Sequence, residues 1–172
     1  MPRFGVVPPE VPVQRDLNLL APAFRAAVDR VLARLAGGPI EWPFETLRTR
    51  ARQDYLIGFG RDYDDGRGLV TGRLTVMPLW WKSWHVFGLA IDLVEKDTTP
   101  WNAPESFWME ICTAGEAEGL VSGLRWPHPD RPHLQWGRCP TIPTIEDTFL
   151  LRRAGLPAVW EKYGALVVPA PL

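Results

Sequence analysis

The chain's three histidines, His85, His128 and His133, fall in two short segments that also carry carboxylates. The first reads Ser83-Trp84-His85-Val86-Phe87-Gly88-Leu89-Ala90-Ile91-Asp92, and the second Trp126-Pro127-His128-Pro129-Asp130-Arg131-Pro132-His133-Leu134-Gln135. A catalytic zinc site takes three protein ligands from His, Asp, Glu or Cys and keeps one position open. His85, Asp92 and His133 supply such a set. Two neutral imidazoles and one carboxylate leave a divalent ion with net positive charge, enough to acidify a water toward neutral pH. Asp92 lies within the apolar run Leu89 to Val94, where a carboxylate without a partner is costly. A metal partner removes that difficulty. Asp130, three residues before His133, is placed to act as a base that takes a proton from the attacking water and passes it to a leaving amine. A positive group near the scissile carbonyl would complete the chemistry, and arginine suits it because its charge does not titrate in the working range.

Each of these residues also has a plainer reading. His85 could be a core histidine beside Trp84 and Phe87, Asp92 a cap or the partner of a nearby base, and Asp130 a turn residue between prolines. His128 reads as a surface or groove residue that could touch a substrate. The pattern as a whole is harder to dismiss than any one member.

Elements must bring the two segments together. Residues 1–16 read as an extended, Pro-rich lead-in, and residues 17–172 as a single domain. Leu17, Leu20, Phe24, Val28, Val31 and Leu35 recur at helical spacing, with Pro22 near the first turn and Gly37-Gly38 as the stop. The stretch Pro39 to Leu47 suggests a buried strand. Arg48 to Gly58 suggests a helix with Ala51, Tyr55 and Leu56 turned inward, and Gly58 to Arg73 a loop. A tight turn at Gly88 leads into a strand from Leu89 to Val94. Asn102 is expected to cap a helix with Glu105 in a capping box, ending near Gly119. Leu124-Arg125-Trp126 and Leu134-Gln135-Trp136 read as strands around the Pro-rich turn, and Thr144 to Tyr163 as one or two helices. The order implies an α+β domain with a small antiparallel sheet and packed helices.

Composition narrows the function classes. The 172 residues are 46% hydrophobic and 23% charged, enough for a core without structural metal or disulfides. The net charge is −1 with no basic pole, so nucleic acid is not an expected partner. No polybasic anchor or membrane-length apolar segment is present, so no stable membrane association is expected. The N-terminus lacks the apolar run of a signal peptide, which points to a protein that stays in the cytoplasm as synthesised. Cys112 and Cys139 form no CxxC pair and are expected as buried thiols.

The two segments resemble the zinc D-alanyl-D-alanine carboxypeptidase and L-alanyl-D-glutamate endopeptidase family, whose members cut peptidoglycan peptides and include many phage endolysins. Its pattern Ser-x-His-x-x-Gly-x-Ala-x-Asp stands here as Ser83 to Asp92, and Asp/Glu-x-x-His as Asp130 to His133. Upstream, Arg-Thr-x-x-x-Gln is matched by Arg48 to Gln53, Gly-Arg by Gly60-Arg61, and Val-Thr by Val70-Thr71. A helix ending in Glu-x-Gly-Leu and then Gly-x-x-Trp stand here as Glu116 to Leu120 and Gly123 to Trp126. The resemblance spans about residues 17–165. It implies one Zn2+ per chain held by His85, Asp92 and His133, with Asp130 as general base and acid. It further implies that Arg48 stabilises the tetrahedral intermediate, and that Ser83 and Gln53, with His128, lie on the substrate side. The implied fold is the small α+β fold shared with the Hedgehog signalling domain.

The segment between Thr71 and Ser83 departs from the family in being longer and more aromatic. Its Trp80 and Trp81, with Trp84, could line a groove for a stem peptide or glycan, or pack the core. The expected activity is hydrolysis of a peptidoglycan stem-peptide bond, with L-alanyl-D-glutamate cleavage favoured. The rivals are D-alanyl-D-alanine carboxypeptidase activity and a non-catalytic, zinc-containing wall-binding protein. The expected state is a monomer, acting on the wall after phage-type release.

Overall fold

A computed structural model of the chain describes residues 5–36, 40–59, 63–64, 79–96 and 102–167. The elements run β1 (Gly5–Val6), α1 (Pro22–Leu35), β2 (Ile40–Glu45), α2 (Arg50–Gly58), β3 (Tyr63–Asp64), β4 (Ala90–Glu95), α3 (Glu105–Ala117), β5 (Leu120–Ser122), β6 (His133–Trp136) and α4 (Ile145–Lys162). Four strands form an antiparallel sheet in the order β2-β4-β6-β5, and β1 pairs with β3 in parallel. The α+β architecture with a small antiparallel sheet is as the sequence pattern implies.

Side chains alternate across a strand, so each strand divides its residues between two faces. One face carries Ile91, Leu93 and Leu134, all fully buried. Helix α3 rests on it so closely that a Cβ on Gly115 would lie 2.6 Å from a Leu134 methyl. Trp136, on the same face, meets Phe24 of α1 edge-on. The other face carries Asp92, His133 and Gln135. The 3₁₀ turn Trp84–Phe87 meets this face through His85.

The first helix starts at Pro22, later than its apolar spacing suggests, because the backbone from Leu17 to Leu19 forms a 3₁₀ turn and Pro22 takes the first helical position. Helix α2 turns Arg52, Gln53 and Leu56 inward, whereas Ala51 is exposed and Tyr55 half-buried. The apolar pattern misreads this face because the helix abuts a polar site rather than the core. Helix α3 begins at Glu105 with Pro104 at its N-cap and no side-chain cap, so Asn102 does not cap it. The fixed φ of Pro104 sets the boundary two residues beyond Asn102. Residues Gly123–Arg125 form a 3₁₀ turn, and the strand expected around Leu124 lies just before it, at Leu120–Ser122. Cys112 and Cys139 are buried free thiols. The expected helix stop at Gly37-Gly38 and most of the Gly58–Arg73 loop lie outside the described residues.

The lead-in does not hang free. Thr46 N–H donates to the Gln14 carbonyl at 2.8 Å, and Arg52 Nη1 to the Val11 carbonyl at 3.1 Å. Among the described residues, no helix is long and apolar enough to cross a membrane.

Candidate metal centre

Pairing register brings three acidic and imidazole side chains into a row. Asp92 on β4 stands opposite His133 on β6 and opposite Glu45 on β2. Directly opposed residues share a face, so Glu45, Asp92 and His133 line up across three strands. A register shift between Pro43 and Glu45 sets Glu45 in that row, and β2 tolerates Pro43 because it is an edge strand.

His85 arrives from a different element. It sits in the Trp84–Phe87 turn, which Gly88 ends with φ +64°. That left-handed conformation favours glycine, and a Cβ there would lie 2.8 Å from the Leu19 carbonyl. The turn can therefore reverse at once into β4, which lets His85 meet Asp92 seven residues on. Gly123 serves the second segment differently, by its lack of a Cβ. A Cβ on it would lie 2.5 Å from the Asp130 carbonyl and 3.0 Å from the His133 Cβ, and its carbonyl accepts the Asp130 N–H at 3.0 Å.

His85 Nε2 lies 3.2 Å from Asp92 Oδ1, His133 Nδ1 lies 3.4 Å from the same oxygen, and the two ring nitrogens are 3.3 Å apart. All three residues are buried, and Asp92 Oδ1 has no hydrogen-bond partner. His85 Nδ1 lies 3.0 Å from the Thr46 carbonyl. A carbonyl only accepts, so Nδ1 carries the hydrogen and Nε2 turns a lone pair inward. The residues fit a metal ion well. Ligands of a tetrahedral zinc at about 2.0–2.1 Å stand roughly 3.3 Å from one another, close to all three observed edges. The orphaned, buried carboxylate oxygen and the two imidazole nitrogens form a set that could hold a metal ion.

The electrostatics agree. Burial alone would raise the Asp92 carboxyl, but the His85 and His133 imidazoles hold it well below the usual carboxylate range. Burial would likewise lower His133, and Asp92 and Asp130 raise it above its ordinary value. The pocket attracts positive charge. Asp130 differs: partial enclosure by protein and the nearby Asp92 charge push its carboxyl up, against the opposing pull of His133, His85 and Arg48. Its side chain still reaches solvent.

Arg48 is nearly buried. Glu45 Oε2 accepts from both its Nε and Nη2, and Gln53 Oε1 accepts from Nη1 at 2.8 Å. Nη2 also lies 3.7 Å from Asp92 Oδ2. Gln53 is fully buried and Ser83 nearly so, while His128 is exposed. Arg48 and Gln53 thus join the cluster around Asp92, Ser83 begins the turn that bears His85, and His128 stands on the surface. Trp84 is core, 2% exposed, with its Nε1 donating to the Pro140 carbonyl at 2.8 Å. It lines no groove. Trp80 is half-buried, within cation–π range of Arg50 and Arg152.

Sequence reasoning missed Glu45, Thr46 and Gln135. Glu45 lies three residues before Arg48, a spacing that could have suggested the pair. Gln135 lies two residues after His133, hence on the same strand face. Thr46 acts on His85 through a backbone carbonyl, which leaves no signature in residue type.

No curated protein matches the sequence. A solved structure, that of the L-Ala D-Glu endopeptidase ChiX of Serratia marcescens, is similar with a TM-score of 0.51 at 20% identity, covering 77% of this chain and 86% of that one. At that identity the likeness speaks for the fold. A family described as D-alanyl-D-alanine carboxypeptidase matches residues 80–136, the segment that holds His85, Asp92, Asp130 and His133. That match covers the candidate metal centre, and the solved structure is similar to the chain in fold.

Proposed function

We propose that the chain is a zinc-dependent peptidase of peptidoglycan stem peptides that cleaves the L-alanyl-D-glutamate bond, as a phage or prophage endolysin does. The observation that carries this reading is the triangle of His85 Nε2, Asp92 Oδ1 and His133 Nδ1, with edges of 3.2 to 3.4 Å. The activity of the Serratia marcescens endopeptidase, similar in fold, supports the choice of bond. His85, Asp92 and His133 would hold a zinc ion, which when bound would supply Lewis acidity and acidify a water. Asp130 then accepts the proton of that water and delivers it to the departing amine. Its raised carboxyl makes it a better acceptor of that proton. Arg48, held by Glu45 and Gln53, presents fixed positive charge beside Asp92 and stabilises the oxyanion of the tetrahedral intermediate. Ser83 and His128 are the side chains proposed to contact substrate, and Gln53, fully buried, acts on it through Arg48.

A second reading is D-alanyl-D-alanine carboxypeptidase activity, favoured by the description of the matching family. Purified cell walls digested with the protein and read by mass spectrometry separate the two. New N-terminal D-glutamate supports the endopeptidase, and free D-alanine the carboxypeptidase. Asp130→Ala should keep about one zinc per chain and lose cleavage. Undiminished cleavage by that variant would refute Asp130 as the base, and the absence of any new ends would remove the peptidase reading in favour of a zinc-containing binding protein.

A further inference from the structure

His85 and His133 meet through different ring nitrogens, Nε2 of one and Nδ1 of the other. The Thr46 carbonyl accounts for the His85 tautomer. For His133 the corresponding contact is Gln135 Oε1, 3.2 Å from Nε2. Gln135 is 1% exposed and lies on the same face of β6, paired with Ala90 and Val121 on either side.

An amide has a donor end and an acceptor end, and only its surroundings decide which way it points. Gln135 Nε2 lies 3.1 Å from the Pro140 carbonyl. That oxygen only accepts, and it also takes the Trp84 indole N–H at 2.8 Å. Turning the amide over would set oxygen against oxygen inside the protein and leave the Pro140 side without its donor. The amide oxygen must therefore face His133. Since that oxygen also only accepts, the hydrogen of the neutral His133 ring resides on Nε2, and the Nδ1 lone pair is directed at Asp92 and His85.

We propose that Gln135 is a positioning residue for the metal centre. Anchored by the Pro140 carbonyl, it sets the His133 tautomer and ring orientation that present Nδ1 to the ion. This rests on the reading of His85, Asp92 and His133 as zinc ligands. The outer hydrogen bond of a metal-bound histidine commonly accounts for a 10- to 100-fold change in metal affinity. Gln135→Met keeps the side chain's length and removes both polar ends.

Two measurements test the proposal. The first is zinc affinity by competition with a chromophoric chelator, for wild type and Gln135→Met. The expected result is a 10- to 100-fold weaker affinity in the variant at unchanged stoichiometry. The second, on the zinc-loaded wild type, is a long-range 1H–15N spectrum of the imidazoles. It should show the His133 hydrogen on Nε2 and the His85 hydrogen on Nδ1. The second measurement stands even if the variant fails to fold. Equal zinc affinity in the two proteins, or a His133 hydrogen on Nδ1, overturns the role of Gln135 and leaves the zinc reading intact. A wild type that binds no zinc overturns both.

Discussion

Glu45 grips Arg48 by two of its nitrogens, and this buried pair sets the edge of the metal centre nearest Asp92. Glu45 also lies 3.5 Å from Arg52 through its other oxygen, Oε1, which has no hydrogen-bond partner. One carboxylate thus counters two buried guanidinium groups, and Asp92, its neighbour in register, is the next acceptor in reach of Arg48.

Glu45→Gln should therefore act on stability and on catalysis separately. Removing the charge leaves Arg48 and Arg52 without their shared counter-ion, a loss of about 3 kcal/mol for a buried pair broken on one side. Chemical denaturation should show it as a lower midpoint. Arg48, no longer held by a carboxylate, should drift toward Asp92. Wall hydrolysis by the folded variant should then slow by about tenfold or more, equal to a barrier increase of roughly 1.4 kcal/mol. Zinc content should stay near one per chain.

Metal binding should be visible as stability. Any ligand that binds the folded chain alone raises its unfolding free energy, by about 2.7 kcal/mol at a hundred times its dissociation constant. Zinc added to chelator-treated protein should raise the melting temperature in a concentration-dependent way. His133→Ala removes one of three ligands and should abolish that rise. An equal rise in the variant would place the stabilising ion elsewhere.

The candidate ligands His85 and Asp92 were legible because a turn and the strand that follows it carry them at a short spacing. His85-x-x-Gly88 encodes the turn, and Ala90-x-Asp92 the strand that follows. The strand pair around the Pro-rich loop was legible, although its first strand, near Leu124, was set a few residues late, and the pairing of Asp92 with His133 across a different pair of strands was not read. The groups that hold the ligands were less legible because their partners are distant in sequence. Thr46 meets His85 across 39 residues, and Trp84 meets Pro140 across 56. Helix α2 was misread for a related reason: spacing rules assume an apolar core, and this helix turns Arg52 and Gln53 toward Glu45 and Arg48.

The tryptophans separate core from surface. Trp84 packs against Phe87 and Tyr163 with ring centroids 5.4 and 5.1 Å apart. Trp84→Ala should cost about 3–5 kcal/mol, as expected for a buried aromatic removed from a close-packed interior. Trp81 is only half-buried and lies beside Lys82. Trp81→Ala should change stability by less than about 1 kcal/mol. If its KM for wall fragments rises while kcat holds, Trp81 grips substrate; if neither moves, it does not.

Asp147 ties together the two ends of α4. A straight helix would set residues 147 and 162 roughly 22 Å apart, yet Lys162 Nζ reaches Asp147 Oδ1 because the helix breaks at Gly155, where φ is +78° and ψ −178°. Asp147 also closes the capping box with Thr144 and accepts from the Tyr163 hydroxyl at 2.9 Å. Burial alone would raise its carboxyl, but Lys162, Thr144 and Tyr163 together hold it below the usual carboxylate value of 3.8. A depressed carboxyl stabilises the fold fully above its unfolded value, and that contribution fades as pH falls through the folded one. Asp147→Asn should thus cost about 2 kcal/mol at neutral pH, from the lost cap and ion pair. The gap between wild type and variant should stay constant down to about pH 5 and narrow below about pH 4. Urea denaturation of both proteins from pH 7 to pH 3 reads this directly. A gap that widens on acidification would mean the carboxyl is raised, not lowered, in the folded chain.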